Sequence, residues 1–275
     1  MKTFSLFFLF FCAFFCFIAF FNGTLFAAPD GDEMLVDGKP LPKLDLFLCI
    51  GQSNMAGRGV MDKEKGDLEP IPNVYLFTED GKWEPARNPL NRYSNIRKEM
   101  SMQQISPAYG FALKLAAETK RPIGLVVNAK GGTRIEQWAK GSEDDFANMS
   151  LKRAKEAMKW GTFKGILWHQ GEGNSGKPDE YPEKLKRMVE FLRTELGDEK
   201  LFFAAGELGQ WREDNQKFNK MINGISTFLP NSGAVSTEGL KPLRGDVKDP
   251  HFDRESQIIL GNRYADVISE NVYKK

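Results

Sequence analysis

Beyond an apolar N-terminal run, the hydrophobic residues fall into short unbroken blocks. Between these blocks lie stretches where they recur every three or four positions. Blocks at 44–50, 74–78, 122–128, 165–168, 200–205 and 233–236 read as strands buried on both faces. The spacing predicts helices over 108–118, 144–160, 179–196, 214–228 and 254–269. Ser106 stands where an N-cap is needed, and Pro107 fits the first helical position, where no N–H is required. Strands alternating with helices imply an α/β domain with a parallel sheet covered on both faces. Residues 82–105 break the rhythm. They are polar and irregular, and so long a loop in a compact domain is often functional. No repeat and no second apolar core intervenes, so 44–275 reads as one domain behind a linker at 29–43.

The N-terminal run changes the picture of where the chain works. Lys2 precedes a phenylalanine-rich stretch from Phe4 to Phe21, followed by Ala27-Ala28-Pro29-Asp30. A positive start, an apolar stretch and small residues describe a secretory signal peptide over 1–28. The expectation is a secreted or periplasmic protein with no stable membrane association after cleavage. An uncleaved anchor is the alternative, because the run is long enough to span a bilayer. Cys12 and Cys16 fall inside this segment, which leaves Cys49 as the one cysteine of the mature chain. Stability then rests on an ordinary core rather than on disulfides.

Charge and motif content exclude several function classes. The chain holds 38 basic and 37 acidic residues, net +1, in short mixed runs such as 62–65. That balance gives no footprint for nucleic acid. No Cys/His cluster has zinc spacing, no GxGxxG opens a helix, and no phosphate loop is present. No metal and no cofactor are expected.

Chemistry concentrates at the ends of the strands, where open α/β sheets bind ligands. Gly51-Gln52-Ser53-Asn54-Met55 directly follows the first strand. Glycine permits a sharp turn there, and the serine is presented as a nucleophile at the sheet edge. A serine nucleophile needs a base, an orienting carboxylate and oxyanion donors. The chain has two histidines. His251 lies in Asp249-Pro250-His251-Phe252, on a loop ahead of a helix, and is the better base. His169 sits beside Trp168 against a strand and reads as partly buried. Glu172 and Asp249 are both candidates for the carboxylate. Oxyanion donors are available from the N–H of Ser53, the N–H of Gly131 or Gly132, and the side-chain amide of Gln170 or Asn54. Gln52, Asn54 and Arg134 are the candidate substrate-binding residues. Trp83, Trp138, Trp168 and Trp211 lie in or beside loops, where burial at the rim of the core is the common outcome.

Taken in order, Gly51-Gln52-Ser53-Asn54-Met55, Gly131-Gly132-Thr133-Arg134-Ile135-Glu136-Gln137-Trp138, Trp168-His169-Gln170-Gly171-Glu172 and Asp249-Pro250-His251-Phe252 resemble the SGNH-hydrolase-type esterases. More closely, they resemble the sialate O-acetylesterase and acetylxylan esterase branch, carbohydrate esterase family 6. The resemblance implies a three-layer, flavodoxin-like α/β domain with a central parallel sheet of about five strands. It also implies hydrolysis of acetyl esters on carbohydrate through an acyl-serine. Carried over, Ser53 is the nucleophile, His251 the base, and Gln170 with a Gly131 or Gly132 N–H the oxyanion donors. The wider superfamily places its acid three residues before the histidine, and here that position is Lys248. The resemblance therefore favours Glu172 over Asp249. Two rivals are a lipase or thioesterase with another acyl preference and a non-catalytic carbohydrate-binding protein.

Overall fold

A computed structural model describes residues 34–274, so the signal-peptide segment 1–28 and the start of the linker lie outside the described residues. The remainder of the linker holds a small antiparallel ribbon, β1 (Leu35–Val36) with β2 (Lys39–Pro40). The main sheet has seven strands. They are β3 (Leu44–Gly51), β4 (Val74–Phe77), β5 (Trp83–Pro85), β6 (Ile123–Ala129), β7 (Gly161–His169), β8 (Phe202–Gly206) and β9 (Ser232–Val235). Their spatial order is β5-β4-β6-β3-β7-β8-β9. Every pairing is parallel except β4 with β5. The sheet is thus wider than the five strands expected. The antiparallel edge strand β5 accounts for part of the difference; at three residues it is too short to show a period, and it lies inside the stretch read as irregular loop.

Alternation along β3 divides the interior in two. Leu44, Leu46, Leu48 and Ile50 face one core, shared with α3 (Phe146–Ala157), α4 (Tyr181–Leu196) and α5 (Gln216–Asn223). Phe47 and Cys49 face the other, shared with α2 (Pro107–Thr119) and α6 (Arg254–Ile268). The helix expected over 214–228 is shorter because the chain breaks at Gly224 into a separate 3₁₀ turn, Ile225–Thr227. Ser106 occupies the N-cap of α2, but its hydroxyl is buried and makes no capping bond. At α6 the cap is formed: Asp253 accepts from the Ser256 N–H at 2.8 Å.

This strand order places the site. From β3 the chain moves to β4 and β6 on one side, then crosses to β7 on the other. The carboxyl end of β3 is therefore the switch point of the sheet, where a crevice opens between diverging loops. Gly51, Ala129 and His169 stand in register at that edge.

Helices α2 and α6 cross through glycine. A Cβ at Gly261 would lie 2.2 Å from Pro107 O, and one at Gly110 would lie 2.2 Å from Ile258 O. Backbone meets backbone, so no side chain can give way. Gly261→Ala is expected to cost about 2 kcal/mol or more by forcing the helices apart. Urea unfolding checks this; an unchanged midpoint would mean that the crossing tolerates a methyl group.

Candidate active site

At the end of β3, Gly51 adopts φ +140°, and a Cβ there would lie 2.2 Å from His169 O on β7. Only glycine lets the two strands close at this point. The Gln52 N–H continues the ladder by donating to His169 O at 2.9 Å. Ser53 then opens the single-turn helix α1 (Ser53–Ala56). The N–H groups of a first helical turn have no carbonyl partner within the helix, so that of Ser53 is available. The serine is 5% exposed.

The second half of the site comes from the loop before α6. His251 Nε2 is 2.9 Å from Ser53 Oγ, and His251 Nδ1 is 2.7 Å from Asp249 Oδ1. The same Asp249 oxygen accepts the His251 backbone N–H at 2.9 Å. This local turn folds the carboxylate back onto the ring two residues ahead. Around it, the Leu243 N–H donates to His251 O at 2.7 Å, and Trp211 Nε1 donates to Asp249 O at 3.1 Å. With Asp249 accepting the Nδ1 proton, the Nε2 lone pair faces the serine hydroxyl. Burial lowers the His251 pKa, and Arg58 lowers it further against the opposing pull of Asp249. The imidazole is thus neutral and able to accept a proton.

Asp249, not Glu172, is the carboxylate on His251. Glu172 follows β7 as expected, but its Oε1 accepts from Asn54 Nδ2 at 2.8 Å, and its Oε2 is buried without a partner. Burial, only partly offset by hydrogen bonds and by Arg212, pushes the Glu172 pKa up to about 7. The superfamily spacing misled here because the Asp249 turn brings an acid to the ring from two positions away rather than three.

The substrate-binding assignment of Asn54 also fails. Its amide has no exposed surface. Nδ2 donates to Glu172 and to Pro250 O at 3.2 Å, and Oδ1 accepts from the Phe252 N–H at 3.2 Å and Gln257 Nε2 at 3.1 Å. Asn54 is bound on both sides of His251, and no capacity remains for a ligand. Gln170 departs from its expected role in the same way. It is fully buried, and Nε2 faces Gln52 Oε1, Thr133 O and Asn174 Oδ1 at 3.0–3.2 Å. Tyr181 OH is 2.7 Å from its Oε1. Such an amide supports the turn rather than an oxyanion. Gln52, 3% exposed, is held by that contact.

The double glycine does reach the serine. The Cβ position of Gly131 lies 3.3 Å from Ser53 Cβ, so this residue, rather than the exposed Gly132, forms the corner beside Ser53. Arg134 is exposed, and its Cγ lies 3.0 Å from the Cβ position of Gly173, on the rim after β7. His169 is fully buried, with Nδ1 at 3.2 Å from Tyr264 OH, and desolvation lowers its pKa to about 3. Cys49 is buried and its thiol is pushed up by desolvation. Trp83, Trp138 and Trp168 are core residues, whereas Trp211 is half-buried against the Asp249 loop. Among the described residues, no group of three or more His, Cys, Asp or Glu is arranged to hold a metal ion. Sequence reasoning gave no site role to Trp211 or Arg58; the position of Arg58, five residues past the serine in the same turn segment, was the available signal.

Ser53, His251 and Asp249 thus stand in one hydrogen-bonded row at the switch point of the sheet. Residues 43–270 match the family described as carbohydrate esterase, sialic acid-specific acetylesterase. The chain belongs to that family. A probable carbohydrate esterase of Arabidopsis thaliana is 29% identical over 251 residues, which is 84% of this chain and 93% of the relative. The 1.6 Å crystal structure of the Arabidopsis thaliana protein aligns with a TM-score of 0.72 at 27% identity, over 84% of this chain and all of that one. A carbohydrate acetylesterase from Xanthomonas citri shares the fold, with a TM-score of 0.60 at 20% identity over 84% of this chain and 57% of that one.

For this carbohydrate esterase the two carboxylates make separable predictions. Asp249→Asn should lower kcat by on the order of 10³ to 10⁴, because an amide facing Nδ1 favours the wrong tautomer. Glu172→Gln should cost much less, since its Oε1 can still accept from Asn54. Steady-state rates of the two folded variants decide; a crippled Glu172→Gln beside a near-normal Asp249→Asn would reverse the assignment.

Glu172 also carries a stability signature. Its pKa of about 7 in the fold lies above the ordinary 4.5, so the native state favours the neutral acid. The stability this gives is complete below about pH 4.5 and is lost as pH rises through 7. Glu172→Gln removes the loss. The variant should match wild type near pH 4.5 and exceed it by up to about 3 kcal/mol above pH 8, read by urea unfolding at both pH values. A gap that does not depend on pH would show that the carboxyl does not titrate with folding.

Proposed function

We propose that this carbohydrate esterase is an exported O-acetylesterase that releases acetate from acetylated sugars through an acyl-serine intermediate. The observation that carries the reading is the relay of Ser53, His251 and Asp249, with contacts of 2.9 and 2.7 Å. The family description supports acetyl transfer, and the apolar run after Lys2 supports export.

Ser53 Oγ attacks the acetyl carbonyl carbon as its proton passes to His251 Nε2. The carbonyl π pair moves onto oxygen, which is held by the N–H groups of Ser53 and Gly131. Collapse breaks the bond to the sugar oxygen, which takes the proton from His251. Water then attacks the acetyl-serine, giving a proton to His251, and acetate leaves as Ser53 regains its hydrogen. Asp249 holds the tautomer throughout and steadies the imidazolium. Arg134, exposed on the rim, is the residue we assign to the sugar.

Ser53→Ala should lower kcat on 4-nitrophenyl acetate by on the order of 10⁴ or more while leaving the circular dichroism unchanged. Retention of a hundredth of the wild-type rate would sink the serine mechanism. Butyryl esters should be cleaved about ten-fold more slowly than acetyl esters in kcat/KM, because a site that serves acetyl groups needs only a small acyl pocket, which would reject added methylenes. Rates equal to or rising with chain length would point to a lipase-like enzyme instead. Parallel assays on acetylated xylan and acetylated sialic acid assign the sugar.

A further inference from the structure

Arg58 stands five residues beyond the nucleophile, and its conformation is fixed. Its backbone N–H donates to Ile105 O at 2.9 Å, and Nη1 donates to Gly57 O at 2.6 Å and Met102 O at 2.7 Å. Nη2 is turned the other way. The Cβ position of Gly131 is 2.7 Å from Nη2 and 3.3 Å from Ser53 Cβ, so the nitrogen lies no more than about 6 Å from the serine carbon. Among the described residues Arg58 joins no ion pair; the acid that bears on it is Asp249, which is itself engaged with His251.

A charge held on carbonyls alone is not unusual in this protein. Arg153 rests on Phe77 O and Thr78 O, and Arg193 on Leu201 O, Pro230 O and Asn231 O. Those two guanidiniums clip helices α3 and α4 to neighbouring segments. Arg58 differs in where its free edge lies, at the corner formed by Ser53 and Gly131.

We propose that Arg58 supplies the fixed positive charge that stabilises the tetrahedral oxyanion in the Ser53–Gly131 corner. The proposal rests on the acyl-serine reading. In the ground state the acetyl oxygen is neutral. When Ser53 Oγ bonds to the carbonyl carbon, the π pair leaves that oxygen with a full negative charge, and the serine proton goes to His251. A preorganised cation beside that position stabilises the transition state much more than bound substrate. Removing it should therefore lower kcat and leave KM nearly unchanged.

The same charge also acts on the base. The charged groups that act on His251 are Asp249, on its own loop, and Arg58, on the segment after α1. Asp249 favours the imidazolium and Arg58 disfavours it. Without Arg58 the pull of Asp249 is less opposed, so the acid limb of the kcat/KM profile should move to higher pH.

The test uses the mature enzyme and Arg58→Gln, with 4-nitrophenyl acetate, a neutral acetylated xylo-oligosaccharide and an acetylated sugar bearing a carboxylate. The expected result is a fall in kcat on the order of 10² on all three, KM within about two-fold, and an acid limb displaced upward. Arg58→Lys, which keeps the charge, should recover part of the rate and the wild-type limb. A loss confined to KM of the carboxylate substrate would overturn the proposal and make Arg58 a reader of substrate charge. A lowered Tm with kcat and pH profile unmoved would reduce Arg58 to a loop clip. Should Arg58→Gln fail to fold, Arg58→Lys carries the test, and a Lys variant with both kcat and limb lost overturns it. An inactive Ser53→Ala beside a normal Arg58→Gln removes this proposal alone, whereas an active Ser53→Ala removes the serine reading itself.

Discussion

Ser53 and His251 are 198 residues apart in the chain, and the buried amide of Asn54 joins the segments that carry them. Two donated and two accepted hydrogen bonds reach Glu172, Pro250, Phe252 and Gln257. The backbone on either side of His251 is therefore bonded to the residue next to Ser53. A buried amide is costly when any of its partners is missing, so this arrangement has one low-energy register. The 2.9 Å contact between serine and imidazole is a consequence of that register rather than its cause.

The sheet provides the other constraint. Parallel strands β6, β3 and β7 hold three turns side by side, and Gly51 allows the outermost residues of β3 and β7 to approach. On this rigid edge the polar groups separate by task. Asp249 is the anion that meets the ring, and Arg58 is the cation beside the serine. Glu172, desolvated, tends toward neutrality and serves the amide. Gln170 and Tyr181 complete a second set of buried bonds beneath the turn.

Much of this was legible in the sequence. The apolar blocks marked the parallel strands, and Ser53 and His251 stood out because each falls at the edge of an element. The choice between Glu172 and Asp249 was not legible. A carboxylate directly after a strand is held rigidly, yet rigidity does not say where it points, and Glu172 points at Asn54. The roles of Asn54 and Gln170 were hidden for a related reason. An amide near a site has the same sequence signature whether it faces a ligand or the protein, and only the count of filled donors and acceptors separates the two. β5 escaped because three residues cannot display a period, and the free edge of Arg58 is set by contacts with residues far along the chain.

The doubly used oxygen of Asp249 has a wider meaning. One atom sets both the path of the peptide and the tautomer of the ring, so Asp249 and His251 form a unit of three residues that largely organises itself. Such a unit does not require its acid at a fixed distance on a separate scaffold. It can be carried on any loop that is anchored at its ends. A search for related enzymes by a rigid acid–histidine spacing would therefore pass over chains like this one.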